Sequence, residues 1–148
     1  MTDETFDQPF TRGGPNEALG QYFTGESYLA PIVDGAVPVN NVTFEPGART
    51  NWHIHRGQGG GGDGGGDQVL LCTAGSGWYQ ADGDQPVSMV PGTAIRIPAG
   101  IRHWHGAKAG SWFSHLAFIN PGDGVANEWL EPVSDDDYGR LPAGGPGD

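Results

Sequence analysis

An all-β sandwich or barrel is the fold class the sequence predicts, and three observations predict it. From position 37 onward, short apolar or alternating runs are cut by turn residues every eight to twelve positions, the rhythm of an antiparallel strand protein. Five tryptophans, six phenylalanines and four tyrosines supply a packed interior. They answer the 27 glycines and 12 prolines, which at about a quarter of the chain approach the range where low-complexity disorder becomes common. With 148 residues there is room for one hydrophobic core and hence one domain.

Taken in order, the first twenty residues mix Asp, Thr, Gly, Pro and Asn without periodicity, which predicts a flexible N-terminal arm over 1–20. The barrel then fills 21–140, with strands expected near 37–45, 51–55, 68–73, 78–81, 87–90, 94–98, 102–106 and 112–119. Pro46-Gly47, Ala74-Gly75-Ser76-Gly77, Asp82-Gly83-Asp84, Pro91-Gly92 and Pro98-Ala99-Gly100 punctuate them with residues that preset or permit turn dihedrals. Eight glycines in the ten positions 57–66 exclude a strand there. The segment 57–67 therefore reads as a surface loop, either a tolerated insertion or a mobile lid. Ser134 followed by Asp135, Asp136 and Asp137 predicts one capped helical turn, because a serine oxygen and early carboxylates satisfy the free amides of a helix start. The tail 141–148 is expected to be disordered.

Seven basic against 18 acidic residues give a formal charge of −11, which repels a phosphate backbone or an anionic membrane. Neither nucleic acid nor a membrane is an expected partner. Cys72 is the single cysteine, within the apolar run Val69-Leu70-Leu71-Cys72, and reads as a buried small hydrophobe. The acidic start and the lack of any apolar stretch of spanning length predict a soluble cytoplasmic protein.

All five histidines lie between 53 and 115, and four of them form His53-Ile54-His55 and His103-Trp104-His105. Alternate residues of a strand share one face. Each pair thus presents two imidazoles on one side of a sheet, and neutral imidazole is the commonest nitrogen ligand for a transition metal. His115 lies in the alternating run Ser111-Trp112-Phe113-Ser114-His115-Leu116, which reads as another strand. His105 and His115 have the proton affinity for acid/base work, with an ordinary pKa near ~6.5.

The spacing around these pairs resembles the two motifs of the cupin superfamily. Gly47 precedes His53-Ile54-His55 by five residues, and Gln68 precedes Gly75 by six. The middle spacer of twelve residues is longer than the family's, by the length of the glycine-rich segment. In the second motif Gly92, Pro98, Gly100 and His103 are in register, with Ala107 where the family often has Asn. The strings Val42-Thr43-Phe44-Glu45-Pro46-Gly47-Ala48-Arg49-Thr50, His103-Trp104-His105-Gly106, Ser114-His115-Leu116-Ala117 and Glu128-Trp129-Leu130-Glu131 are similar to those of small single-domain cupins that include bacterial manganese-dependent hydroxynitrile lyases.

The resemblance implies a single antiparallel jelly-roll barrel. It also implies one divalent ion per chain held by His53, His55, His103 and Gln68, with His105 and His115 as catalytic groups. Manganese is the metal it implies; iron, nickel and zinc also suit imidazole with amide oxygen. Gln58, Asp63 and Asp67 are rival ligands. The implied reaction is cleavage of a cyanohydrin to an aldehyde and hydrogen cyanide, and its reverse. A cupin dioxygenase and a non-catalytic small-molecule-binding cupin are the alternatives. Asn40 is a polar variable of the pocket, and Trp78, Trp104 and Phe113 are available either for an aryl substrate or for the core. A homodimer or homotetramer is expected, because a barrel of this kind has an edge to cover.

Overall fold

The computed structural model describes residues 6–57 and 65–142. Most of the expected glycine-rich loop, at 58–64, and most of the expected tail, at 143–148, lie outside the described residues. Thirteen strands are described: β1 (Gly14–Pro15), β2 (Phe23–Thr24), β3 (Ser27–Val33), β4 (Val39–Phe44), β5 (Arg49–Thr50), β6 (His53–Arg56), β7 (Gln68–Gly75), β8 (Gly77–Ala81), β9 (Val87–Met89), β10 (Ala94–Ile97), β11 (His103–Ala107), β12 (Phe113–Ile119) and β13 (Ala126–Trp129). The only α-helix among the described residues is α1 (Asp135–Gly139), and none is long and apolar enough to cross a membrane.

The strands form two antiparallel sheets, as the all-β jelly-roll reading requires. One runs β1-β3-β4-β12-β7-β10. In the other, β11 pairs on one edge with β6 and β5 and on the other with β8, while β13, β2 and β9 extend it outward. Side chains alternate about each strand. In β7 the buried set is Gln68, Leu70, Cys72 and Ala74, so this strand contributes one polar residue and three core residues to the same face. The main core joins Val42, Phe44, Leu70, Cys72, Met89, Ile97 and Phe113 between the sheets. Cys72 is buried there as expected, and burial pushes its thiol up to about 11.

The turns follow their residues. Gly47 takes a φ of 83° and Ala48 N–H donates to Glu45 O at 2.9 Å, the geometry that Pro-Gly favours at the centre of a turn. Ser134 caps α1 by accepting from Asp137 N–H at 3.0 Å. The helix is fastened by Arg49, which donates to Val133 O and Asp135 Oδ1 and lies over the Tyr138 ring, and by Tyr138 O–H donating to Ala107 O. A second core forms beneath it from Trp78, Trp104, Val133 and Tyr138. This explains why β11 is buried on both faces.

Two features depart from the sequence reading. The arm 1–20 is docked from Phe6 onward: β1 pairs with β3, and Phe6 stacks on Trp112. Gln8 donates to Thr43 Oγ1 and accepts from Asn41 Nδ2 and Ser114 Oγ. Its side chain satisfies buried polar groups on the outside of the sheet, a requirement invisible without the tertiary pairing. Strand β3 is also not among the strands read from the sequence; it contains Pro31, with a register shift between Pro31 and Val33, and a residue lacking N–H is tolerated at such irregularities.

Candidate metal centre

Strands β6 and β11 are antiparallel neighbours with His53 opposite His103. Period-two alternation then turns His53, His55, His103 and His105 to the barrel interior, and all four are buried. Ring centroids are 4.2 Å apart for His53 and His103, 5.0 Å for His53 and His55, and 5.3 Å for both His53–His105 and His55–His103. The facing sheet contributes Gln68 from the first position of β7 and His115 from β12. His53, His55, Gln68, His103, His105 and His115 are therefore brought to one cluster. Donor atoms of His53, His103 and His105 lie within 4.8 Å of one another, a triad able to hold a metal ion. His105, expected among the catalytic groups, is thus as central as the expected ligands.

Hydrogen bonds assign the proton on four of the five rings. His53 Nδ1–H donates to Asn51 O at 2.8 Å and His103 Nδ1–H to Ile101 O at 2.9 Å. Each Nε2 is left as a lone pair, the tautomer a metal ligand needs. The Nε2 of His103 is buried without a hydrogen-bond partner. His115 Nδ1–H faces Leu116 O at 3.3 Å, so its Nε2 accepts from His105 Nδ1–H at 3.0 Å. His105 in turn offers its own Nε2 lone pair. His55 stands between two oxygens, with Nδ1 at 2.6 Å from Asn127 Oδ1 and Nε2 at 2.9 Å from Gln68 Oε1.

These contacts fit a cation. A neutral imidazole has one N–H. With the His55 proton directed to Asn127, Nε2 and Gln68 Oε1 are two acceptors in contact, an arrangement a shared positive ion satisfies. Burial keeps the rings neutral. It is the largest cause lowering His53 well below the ordinary imidazole value, with His103 and His55 adding to it, and it lowers His103 to about 4. His55 is lowered by burial against the opposing pull of Asn127 and Gln68. Burial, then the neighbouring His115, drives His105 well down, and burial takes His115 to about 4. The ordinary value near ~6.5, expected for the two proposed acid/base groups, does not survive complete burial. Asp67 is engaged elsewhere, pairing with Arg96 at 2.7 Å and accepting from Ala99 N–H, which anchors the chain next to Gln68. Gln58 and Asp63 lie outside the described residues.

A cavity of about 160 Å³ opens beside the cluster, close to the ~150 Å³ that accommodates a single benzene ring in a dry site. Its polar lining is His53, His55, Gln68, His105 and His115, with Asn40, Thr50 and Asn127. Leu19, Phe23, Leu29, Val42, Ala117, Ile119 and Trp129 supply its apolar lining. Trp129 lies 4.7 Å from the His53 ring and stacks on Tyr22 at 4.6 Å. Trp78, Trp104 and Phe113 do not line it; they fill the two cores. The sequence reading missed Phe23, Trp129 and Asn127. Strand β13, Ala-Asn-Glu-Trp, has little intrinsic strand propensity and forms through its pairing with β6. The one local signal was the Glu128-Trp129-Leu130-Glu131 string.

No family model matches the chain. It is 37% identical over 123 residues to the (R)-mandelonitrile lyase of Granulicella tundricola, spanning 80% of this chain and 87% of that protein. Its fold is similar to that of a cupin-like protein of Thermotoga maritima, with a TM-score of 0.75 and 32% identity over 89% of this chain and 95% of that one. A predicted oxalate decarboxylase of Thermotoga maritima has a TM-score of 0.59 at 17% identity, covering 72% of this chain and 90% of its own, and shares the fold.

Proposed function

The chain belongs to the cupin superfamily, among the small cupins related to (R)-mandelonitrile lyase, and from that membership we propose that it is a metal-dependent hydroxynitrile lyase, cleaving cyanohydrins to an aldehyde and hydrogen cyanide and catalysing the reverse addition. The observation that carries the reading is the cavity itself, lined by neutral imidazoles and Gln68 together with hydrocarbon and aromatic side chains. His53, His55, His103 and Gln68 hold one divalent ion, manganese in the first instance. Three acceptors, Asn51 O, Asn127 Oδ1 and Ile101 O, fix those three rings, whereas His105 Nδ1 is tied to another imidazole and belongs to a proton path.

An ion bound there supplies Lewis acidity that lowers the pKa of a substrate hydroxyl. The hydroxyl proton passes to His105 Nε2, and the charge that appears on His105 is shared through its Nδ1–H with His115 Nε2. As the carbonyl forms, the bond to the nitrile carbon breaks and cyanide leaves with its electron pair. It recovers the proton from His105 and departs as hydrogen cyanide. A base of lowered pKa is a weaker acceptor but, once protonated, a stronger acid, which favours this return. Phe23, Leu29, Ile119 and Trp129 hold the substituent of the aldehyde and exclude water. The protein is proposed to act in the cytoplasm.

Elemental analysis of purified protein, followed by cyanide release from mandelonitrile with the same sample, tests the proposal. About one divalent ion per chain and metal-dependent cyanide release are expected. Metal without cyanide release, together with oxygen uptake on a catechol-like or diketone substrate, would replace the lyase with a dioxygenase. Metal with neither activity would leave a small-molecule-binding cupin.

A further inference from the structure

Of the three imidazoles assigned to the metal, two are oriented by main-chain carbonyls two residues upstream, Asn51 O for His53 and Ile101 O for His103. Those acceptors are main-chain groups just ahead of β6 and β11, and no side-chain change removes them. His55 is different. Its Nδ1 meets a side chain, Asn127 Oδ1 at 2.6 Å, carried on an edge strand from the last quarter of the chain and placed directly opposite by the β6–β13 register. On its other side, Nε2 lies 2.9 Å from Gln68 Oε1, the oxygen proposed as the fourth ligand.

The ring's single proton therefore has two oxygens competing for it, and the two outcomes are not equivalent. With the proton on Nδ1, Asn127 accepts it, and both Nε2 and Gln68 Oε1 keep lone pairs for a cation. With the proton on Nε2, Gln68 accepts it, and one hydrogen bond removes two donors from the site together. We propose that Asn127 is a tautomer lock for the metal centre, a positioning residue that holds the His55 proton on Nδ1 so that His55 and Gln68 remain open to a divalent ion. The inference rests on the ligand assignment made above. It extends it to a residue that touches neither the ion nor the substrate's reacting atoms. Asn127 is exposed on an edge strand, where substitutions rarely unfold a protein, so its removal isolates the effect on the ring.

The test uses the full chain and two readouts. In the metal-free protein, nitrogen-detected long-range correlations of the histidine rings report which nitrogen of His55 carries the proton. Nδ1–H is expected in the parent and in Asn127→Asp, and Nε2–H in Asn127→Ala and Asn127→Leu. Binding of manganese(II) alone, measured by competition with a chelator, should weaken about tenfold in Asn127→Ala and remain near the parent value in Asn127→Asp. That loss is at the lower end of what removal of such outer partners costs, because water can reach Nδ1 at this exposed edge. Asn127→Ala combined with Gln68→Ala should lose less than the two separate losses multiplied, since without Gln68 the competing acceptor is gone. An Asn127→Ala protein that keeps the Nδ1–H tautomer, or binds manganese(II) like the parent, would overturn the proposal. A parent that binds no divalent ion would overturn the ligand assignment instead, and the tautomer measurement would still decide what Asn127 does.

Discussion

Acidifying the metal-free protein acts directly on the histidine cluster, since its rings are buried in the neutral state. His103 and His115 are each lowered by burial to about 4, while in the unfolded chain they titrate near ~6.5. Between those values the unfolded chain binds a proton at each position that the native protein does not. Stability is therefore complete above about pH 6.5, falls as the pH drops toward about 4, and loses nothing more to these two groups below that. Each contributes a slope of about 1.4 kcal/mol per pH unit, so the pair gives about 3 kcal/mol per unit and about 6 to 7 kcal/mol across the window. That is comparable with the whole stability of many domains, about 5 to 15 kcal/mol. His53 and His105 are also lowered well below the ordinary value by burial and act in the same direction. The Glu131 carboxylate, held at about 2 by the hydrogen bond from Arg102, is shifted in the same direction, and its contribution is also lost as the pH falls. It acts only at lower pH, as that carboxylate protonates. Urea unfolding of chelated protein, followed by tryptophan fluorescence at about pH 7.5, 6.5, 5.5 and 4.5, measures the slope. His115→Asn should remove about 1.4 kcal/mol per unit from it. A total slope below about 1 kcal/mol per unit, less than one group supplies, would refute the buried neutral cluster.

His103→Ala should weaken divalent-metal affinity more than the roughly 10- to 100-fold typical of an outer partner, while circular dichroism stays that of the folded barrel. His115→Ala should retain the metal and lower cyanohydrin turnover by about 100- to 10,000-fold, and full turnover with metal bound would return His115 to a packing role. Gly106→Ala should destabilise by about 1 to 3 kcal/mol or more, because a Cβ there would meet the Arg49 backbone at 2.5 Å and Ala48 O at 2.6 Å; a thermal midpoint equal to the parent's would contradict that contact. Light scattering should report a homodimer or homotetramer. Val33 and Val37, 50% and 40% exposed, supply apolar surface near the edge of the β1-β3-β4 side, and a 15.5 kDa particle at micromolar concentration would exclude it.

Local chemistry made much of this protein legible from its sequence. Turn residues and period-two alternation identified eight strands, the Ser134 cap and the paired faces of His53-Ile54-His55 and His103-Trp104-His105, because each depends on dihedral preferences and side-chain direction within a few residues. The motif spacing carried Gln68 across the glycine-rich segment to the same site. Tertiary structure decided what no local pattern encodes. The pairing of β6 with β13 placed Asn127 on His55 across 72 residues, and the approach of the two sheets set His115 against His105. Burial then lowered every imidazole pKa. Phe23 and Trp129, not the tryptophans of the obvious strands, became the cavity wall because Trp78 and Trp104 were already committed to the core beneath α1. The arm took its place for the same reason: Gln8 docks where Asn41, Thr43 and Ser114 need hydrogen-bond partners, a demand that arises only after the sheet has formed and withdrawn those groups from water.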